Sequence, residues 1–146
     1  MWSIASKSLV STCGVMSNED DAVGHTSGVV VVAAMPDSQR ILSGGGGGDG
    51  TIRVWHLNGT LDGTLPELHT AVMTALVALP DNQHALSASR DTTVKLFNVN
   101  DGAVLRTFKH HASPVWCLAL LPDGLRFVSG SEDKTCLLYT SPSPRD

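Results

Sequence analysis

Along this chain, short apolar stretches alternate with breaks rich in proline, glycine and aspartate. Val29–Met35, Met73–Leu79 and Val115–Leu121 are almost wholly apolar. Each runs into a Pro-Asp pair followed by Ser38, Asn82 or Gly124. Proline presets φ for a turn, and Asp, Asn, Ser or Gly close it at little cost. A second short strand follows as RILSG, HALSA or RFVSG, then a tight turn ending at Asp49, Asp91 or Asp133. A third strand is predicted over TIRVW and TVKLF. After it, Asn58-Gly59 and Asp101-Gly102 are strong hairpin signals, leading to fourth strands at about Thr60–Leu65 and Ala103–Phe108.

These units are copies of one another. Asp49, Asp91 and Asp133 are each 42 residues apart, as are Trp55, Phe97 and Tyr139. His25, His69 and His111 each precede the proline of the Pro-Asp pair (Pro36, Pro80, Pro122) by 11 residues. Four antiparallel strands in a unit of about 40–45 residues are the pattern of a propeller blade. A first strand apolar on both faces suits blades stacked on either side of it.

On these residues the chain resembles the tryptophan–aspartate (WD) repeat family of β-propellers. The resemblance covers roughly Gly24 to Thr135: Gly24-His25 opens copy one, and Trp55-His56 stands where the family has Trp-Asp. Copies two and three carry Leu68 and His110 in place of the glycine before the histidine, and copy two has Phe97-Asn98 for the Trp-Asp pair. The expected fold is all-β: a partial, open WD-repeat propeller of two full four-stranded blades plus part of a third. Its repeats run over about 25–66, 67–108 and 109–135, after an N-terminal extension or incomplete region at 1–23.

The run SGGGGGDGTIRVW then reads as the turn between the second and third strands of a blade. Gly45-x-Gly47-x-x-Gly50 matches a dinucleotide fingerprint in letters. That fingerprint needs a helix after the glycines and an acidic residue about 20 positions on. A β-rich stretch, Thr51–Trp55, follows instead, so no cofactor is expected.

The recurrence of His, Ser and Asp could suggest a hydrolase. One set per repeat is unexpected for an active site and natural for a structural device, since triads are recognised by geometry. The resemblance implies a hydrogen-bonded set tying strands together: His25, Ser43, Asp49 and Trp55; His69, Ser87 and Asp91; His111, Ser129 and Asp133. A buried histidine, hydroxyl and carboxylate must satisfy one another or cost stability. With Phe97, which has no N–H, the second set should stop at Ser87. Trp116 aligns with Val30 and Thr74, where the resemblance places partner contacts, and an aromatic there is a hot-spot candidate or an inter-blade packing residue. Arg90 and Glu132, just before the turn aspartates, are expected on the same face, as candidates for partner contact or as solvated surface charge.

Charge and cysteine content narrow the classes. A net charge of −4 with scattered basic residues argues against a nucleic-acid surface. The longest apolar stretch is far too short for a bilayer. Three cysteines without C-x-x-C spacing give neither a disulfide framework nor a zinc site, and the adjacent His110-His111 has no spaced partners for a metal. The start lacks a secretory signal, so an intracellular, cytoplasmic or nuclear setting is the default. The last eleven residues, CLLYTSPSPRD, break the pattern. They are what a transposase-type sequencing-library adapter encodes in frame, so 136–146 is read as non-native.

The functional expectation is a non-catalytic scaffold for one or more protein partners. The alternative is the propeller domain of a larger enzyme or regulatory complex. Fold sets the mode of action and not the pathway.

Overall fold

The computed structural model describes residues 25, 27–46 and 50–140. The described residues contain eleven strands and no helix; none, therefore, is a helix long and apolar enough to cross a membrane. Blade one is the antiparallel sheet β1 (Val29–Ala34), β2 (Arg40–Gly45), β3 (Ile52–His56) and β4 (Leu61–Leu65), in that order. Blade two repeats it with β5 (Met73–Ala78), β6 (His84–Ser89), β7 (Val94–Asn98) and β8 (Val104–Phe108). Blade three has β9 (Val115–Leu120), β10 (Arg126–Ser131) and β11 (Cys136–Thr140). The first strands stand side by side, β1 against β5 and β5 against β9. The three sheets do not close, as an open propeller segment requires.

The local chemistry explains why the chain bends where it does. In each Pro-Asp turn the aspartate carboxylate accepts the N–H two residues on: Gln39 at 2.8 Å, Gln83 at 2.9 Å and Leu125 at 2.9 Å. The residue between is left-handed, with φ 58° at Ser38, 61° at Asn82 and 68° at Gly124. The same aspartates pair with Arg40, His84 and Arg126 at the start of the next strand. At the other hairpins, Gly59 (φ 92°) and Gly102 (φ 76°) supply the positive φ that L-residues avoid.

Packing runs between blades rather than within one. Leu42, Ile52 and Val54 of blade one meet Met73, Ala85 and Phe97 of blade two. Leu86, Val94 and Leu96 of blade two meet Val115 and Phe127 of blade three. Each such side chain contributes about 1.5–3 kcal/mol on burial. β5 is the strand sandwiched on both faces; β1 leaves Val29 and Val32 exposed, at positions matching the buried Met73 and Leu76 of blade two. The glycine run joins this packing: β2 extends through Gly44 and Gly45. A Cβ on Gly44 would lie 2.5 Å from Val31 and 2.8 Å from Met73, so these glycines belong to the strand more than to the turn. Gly47–Asp49 lie outside the described residues.

The first residues of the segment read as non-native form a strand. Cys136–Thr140 pairs with β10 in unbroken register, Gly130 opposite Cys136 and Arg126 opposite Thr140. Ladder hydrogen bonds use only the backbone, so a segment rich in Leu, Tyr and Thr fills the place beside β10 whatever its pattern. Tyr139, 84 residues after Trp55, stacks on Phe127 at 4.5 Å between centroids. Residues 141–146, which hold both Ser-Pro pairs, and the N-terminal 1–23 lie outside the described residues.

Candidate interaction face and the hydrogen-bonded sets beneath it

The turns β2–β3, β6–β7 and β10–β11 share one end of the blades, and in blades two and three a buried polar set holds each in shape. In blade two, His69 Nδ1 lies 2.9 Å from Asp91 Oδ2 and Nε2 lies 2.7 Å from Ser87 Oγ. An ionised carboxylate only accepts, so Nδ1 carries the proton and Ser87 donates to Nε2. Asp91 also accepts from the Thr70 N–H (3.1 Å), the Thr93 N–H (2.9 Å) and the Thr93 hydroxyl (2.5 Å). Blade three repeats this. His111 joins Ser129 at 2.7 Å and Asp133 at 3.2 Å, while Ala112 and Thr135 N–H groups donate to Asp133. Ser87 and Ser129 are wholly buried.

Blade one makes the His25–Ser43 link at 2.7 Å, and the Trp55 indole N–H donates to Ser43 Oγ at 2.8 Å. Its Asp49 is outside the described residues. In blade two the chain of bonds ends at Ser87, because Phe97 has nothing to donate; the ring packs into the core instead. In blade three Tyr139 stands where blade one has the indole; burial, foremost, pushes its hydroxyl pKa up, against the pull of the nearby Ser129 hydroxyl.

Four residues, two in each of blades two and three, complete these sets beyond those named from the sequence. Thr93 and Thr135 bond both histidine and aspartate. Ser89 and Ser131 each donate to two backbone carbonyls and accept the N–H of the turn aspartate. The signal was present: Asp-x-Thr recurs at Asp49-Gly50-Thr51, Asp91-Thr92-Thr93 and Asp133-Lys134-Thr135.

The electrostatics follow from burial. Burial holds the His69 pKa below its usual 6.5, against the pull of Asp91. Burial works to raise the Asp91 pKa, but bonds from Thr93 and the attraction of His69 outweigh it, and the carboxyl stays below its ordinary range. The Thr135 hydroxyl, foremost, holds Asp133 lower still. An imidazole with a lowered folded pKa binds protons less readily than in the unfolded chain, so acid favours unfolding. The His69 contribution is therefore complete above about pH 6.5 and is lost as pH falls below it, by at most about 1.4 kcal/mol per pH unit. Denaturant midpoints at pH 7.5 and 5.5 check this: the lower pH should be the less stable.

Above these sets sit the exposed groups. Val115 pairs with Ser131 and Cys117 with Gly130, leaving Trp116 as the extra residue of a β-bulge. Bulges at Val30 and Thr74 occupy the same place in the other blades. A bulge re-aims its side chain, and Trp116 is 45% exposed. The Arg90 guanidinium, from the β6–β7 turn of blade two, lies over the Trp116 ring at 5.6 Å. The structure thus joins two of the three expected contact residues across a blade boundary. Glu132 is exposed on the matching turn of blade three, its N–H donating to the Pro114 carbonyl at 3.0 Å. His110 and His111 separate: His110 leans on the Tyr139 ring while His111 faces inward to its set.

The profile described as "WD domain, G-beta repeat" matches residues 19–56, 59–98 and 102–140. The chain is 31% identical over 124 residues to a guanine nucleotide-binding protein subunit beta of Zea mays, covering 80% of this chain and 32% of that protein. It is 34% identical over 61 residues to an uncharacterized WD repeat-containing protein of Schizosaccharomyces pombe, covering 42% and 15% respectively. To the human intraflagellar transport protein 122 homolog it is 36% identical over 62 residues, covering 42% and 5%. The chain spans about a third or less of the length of these relatives. With three profile matches covering most of its length and three blades of matching geometry, this chain belongs to the WD40 repeat family.

Proposed function

We propose that the chain is a non-catalytic scaffold that presents Arg90, Trp116 and Glu132 to a protein partner. The observation that carries this is the Arg90–Trp116 pair, an exposed aromatic and cation held together across a blade boundary. Aromatic and arginine side chains are the groups that concentrate binding energy in protein interfaces. A bulge and a hydrogen-bonded turn fix them in place, so little freedom is lost on binding. A guanine nucleotide-binding subunit and a transport protein among the relatives accord with a role in assemblies.

Hydrolysis by the His–Ser–Asp sets fits poorly. Each serine hydroxyl is buried and already bonded to its histidine. A nucleophile must meet substrate beside an oxyanion hole. Sparse basic charge supports a protein partner over nucleic acid. The exposed free thiols of Cys117 and Cys136 suit a reducing intracellular setting.

Trp116→Ala tests the reading. Partner capture by the full chain should fall by at least about tenfold, as a hot-spot loss does, while the thermal midpoint holds. Unchanged capture would rule this face out.

A further inference from the structure

The two blade boundaries are tied at opposite ends. Between blades one and two, polar ties lie at the Pro-Asp end. The Asp37 N–H donates to Asn82 Oδ1 at 3.3 Å, Asn82 Nδ2 donates to Asp37 Oδ2 at 2.9 Å, and the Arg40 guanidinium donates to the Asn82 carbonyl at 2.9 Å. Blade three has Gly124 where blade two has Asn82. A cleft of about 230 Å³ lined by Leu79, Pro80, Asp81, Asp123, Gly124 and Leu125 lies at that end of its boundary with blade two. Here a tie is made at the other end, beneath the interaction face. The hydroxyl of Thr74, the bulge residue of β5, donates to the Val115 carbonyl of blade three at 2.5 Å.

That carbonyl belongs to the peptide that carries Trp116. Val115 is wholly buried, and a bulge disrupts the ladder locally. A donor from the neighbouring blade therefore fixes a peptide plane that strand pairing holds less firmly. The ring is held by the same blade, under the Arg90 guanidinium at 5.6 Å. The Arg90 N–H donates to the Val72 carbonyl at 3.0 Å, two residues before Thr74. Thr74 and Arg90 thus form one block of blade two that grips Trp116 at its backbone and at its ring. The block is not part of the repeat. Blade one has Val30, with no hydroxyl, where blade two has Thr74, and blade three has Glu132 where blade two has Arg90.

We propose that Thr74 is a positioning residue of the interaction face. Its hydroxyl sets the Val115–Trp116 peptide, and through it the pose of the ring beside Arg90, before a partner arrives. Rotation of that peptide would swing the ring away from the guanidinium. An anchor already held in its bound pose loses less freedom on association. The inference rests on the scaffold reading for the use of the face and not for the tie itself.

The test compares Thr74→Val, which keeps the β-branched shape a strand favours, with Thr74→Ser, which keeps the hydroxyl. NMR relaxation of the Trp116 indole N–H in the full chain reads the order of the ring. The Trp55 indole, bonded to Ser43 at 2.8 Å in blade one, is the control in the same spectrum. Order parameters near about 0.85 mark a rigid group and those below about 0.6 a flexible one. Thr74→Val should take Trp116 from the upper range to the lower and leave Trp55 in place, while Thr74→Ser should keep both high. In the capture assay Thr74→Val should lose about fivefold, the scale of one neutral hydrogen bond. It should lose nothing further in a Trp116→Ala background, as when one residue acts through another. The proposal is overturned if Trp116 keeps its order in Thr74→Val, is already flexible in the unsubstituted chain, or loses order equally in Thr74→Ser. Disorder spreading to Trp55, or a Thr74→Val capture loss that is absent or persists undiminished in Trp116→Ala, overturns it as well. Capture unchanged by Trp116→Ala defeats the scaffold reading instead, and the order of the ring then decides the role of Thr74.

Discussion

Asp91→Ala is expected to destabilise the chain by about 3 kcal/mol, read as a shift of the urea midpoint, because it strands several donors at once. The carboxylate accepts from His69 Nδ1, the Thr70 N–H and both the N–H and hydroxyl of Thr93. His69 and Thr93 are buried, so water does not replace the lost acceptor for them. Thr70 is exposed, and its N–H regains a water partner, which keeps the cost below the sum of four bonds. Asp91→Asn should recover less than half. It restores one acceptor oxygen but turns an amide, itself a donor, toward groups that already donate. A loss below about 0.5 kcal/mol, the scale of an ordinary surface substitution, would show that the turn holds its shape without this set.

Phe97→Ala should cost about 4 kcal/mol, the scale for deleting a buried aromatic ring. Phe97 is wholly buried and belongs to the cluster joining Leu42, Ile52 and Val54 of blade one to Met73 of blade two. The cavity would open between two sheets whose backbones are each locked by their own ladders, so collapse would recover little of the lost contact. The same measurement separates packing from hydrogen bonding. Phe97 makes no polar contact to its set, so its whole effect is apolar, whereas that of Asp91 is wholly polar. A cost near 1 kcal/mol for Phe97→Ala would mean that the blades stack loosely.

The repeat was legible because each blade needs the same chemistry at the same interval. Pro-Asp with a left-handed third residue and the Asn-Gly and Asp-Gly hairpins are local demands of the backbone, written into neighbouring residues. The His69 and His111 sets, whose members stand 18 and 22 residues apart, could be named only because the resemblance implied them. The threonines two positions after the aspartates were overlooked because one hydroxyl looks like any other polar residue until its partners are known.

Other features arise only when distant segments meet. That Trp116 is the extra residue of a bulge depends on how β9 aligns with β10, and that Arg90 lies over it depends on how blade two abuts blade three. That the Thr74 hydroxyl reaches the Val115 carbonyl depends on the same stacking. The pairing of Cys136–Thr140 with β10 likewise arises between segments, since backbone ladders accept sequences of many side-chain patterns. By itself the sequence determined the blades and their turns, consequences of short-range stereochemistry repeated every 42 residues, while the polar sets were named from the family resemblance. The tertiary structure alone decided which exposed residues share a surface, because strand register and blade stacking are settled by contacts between segments far apart in the chain.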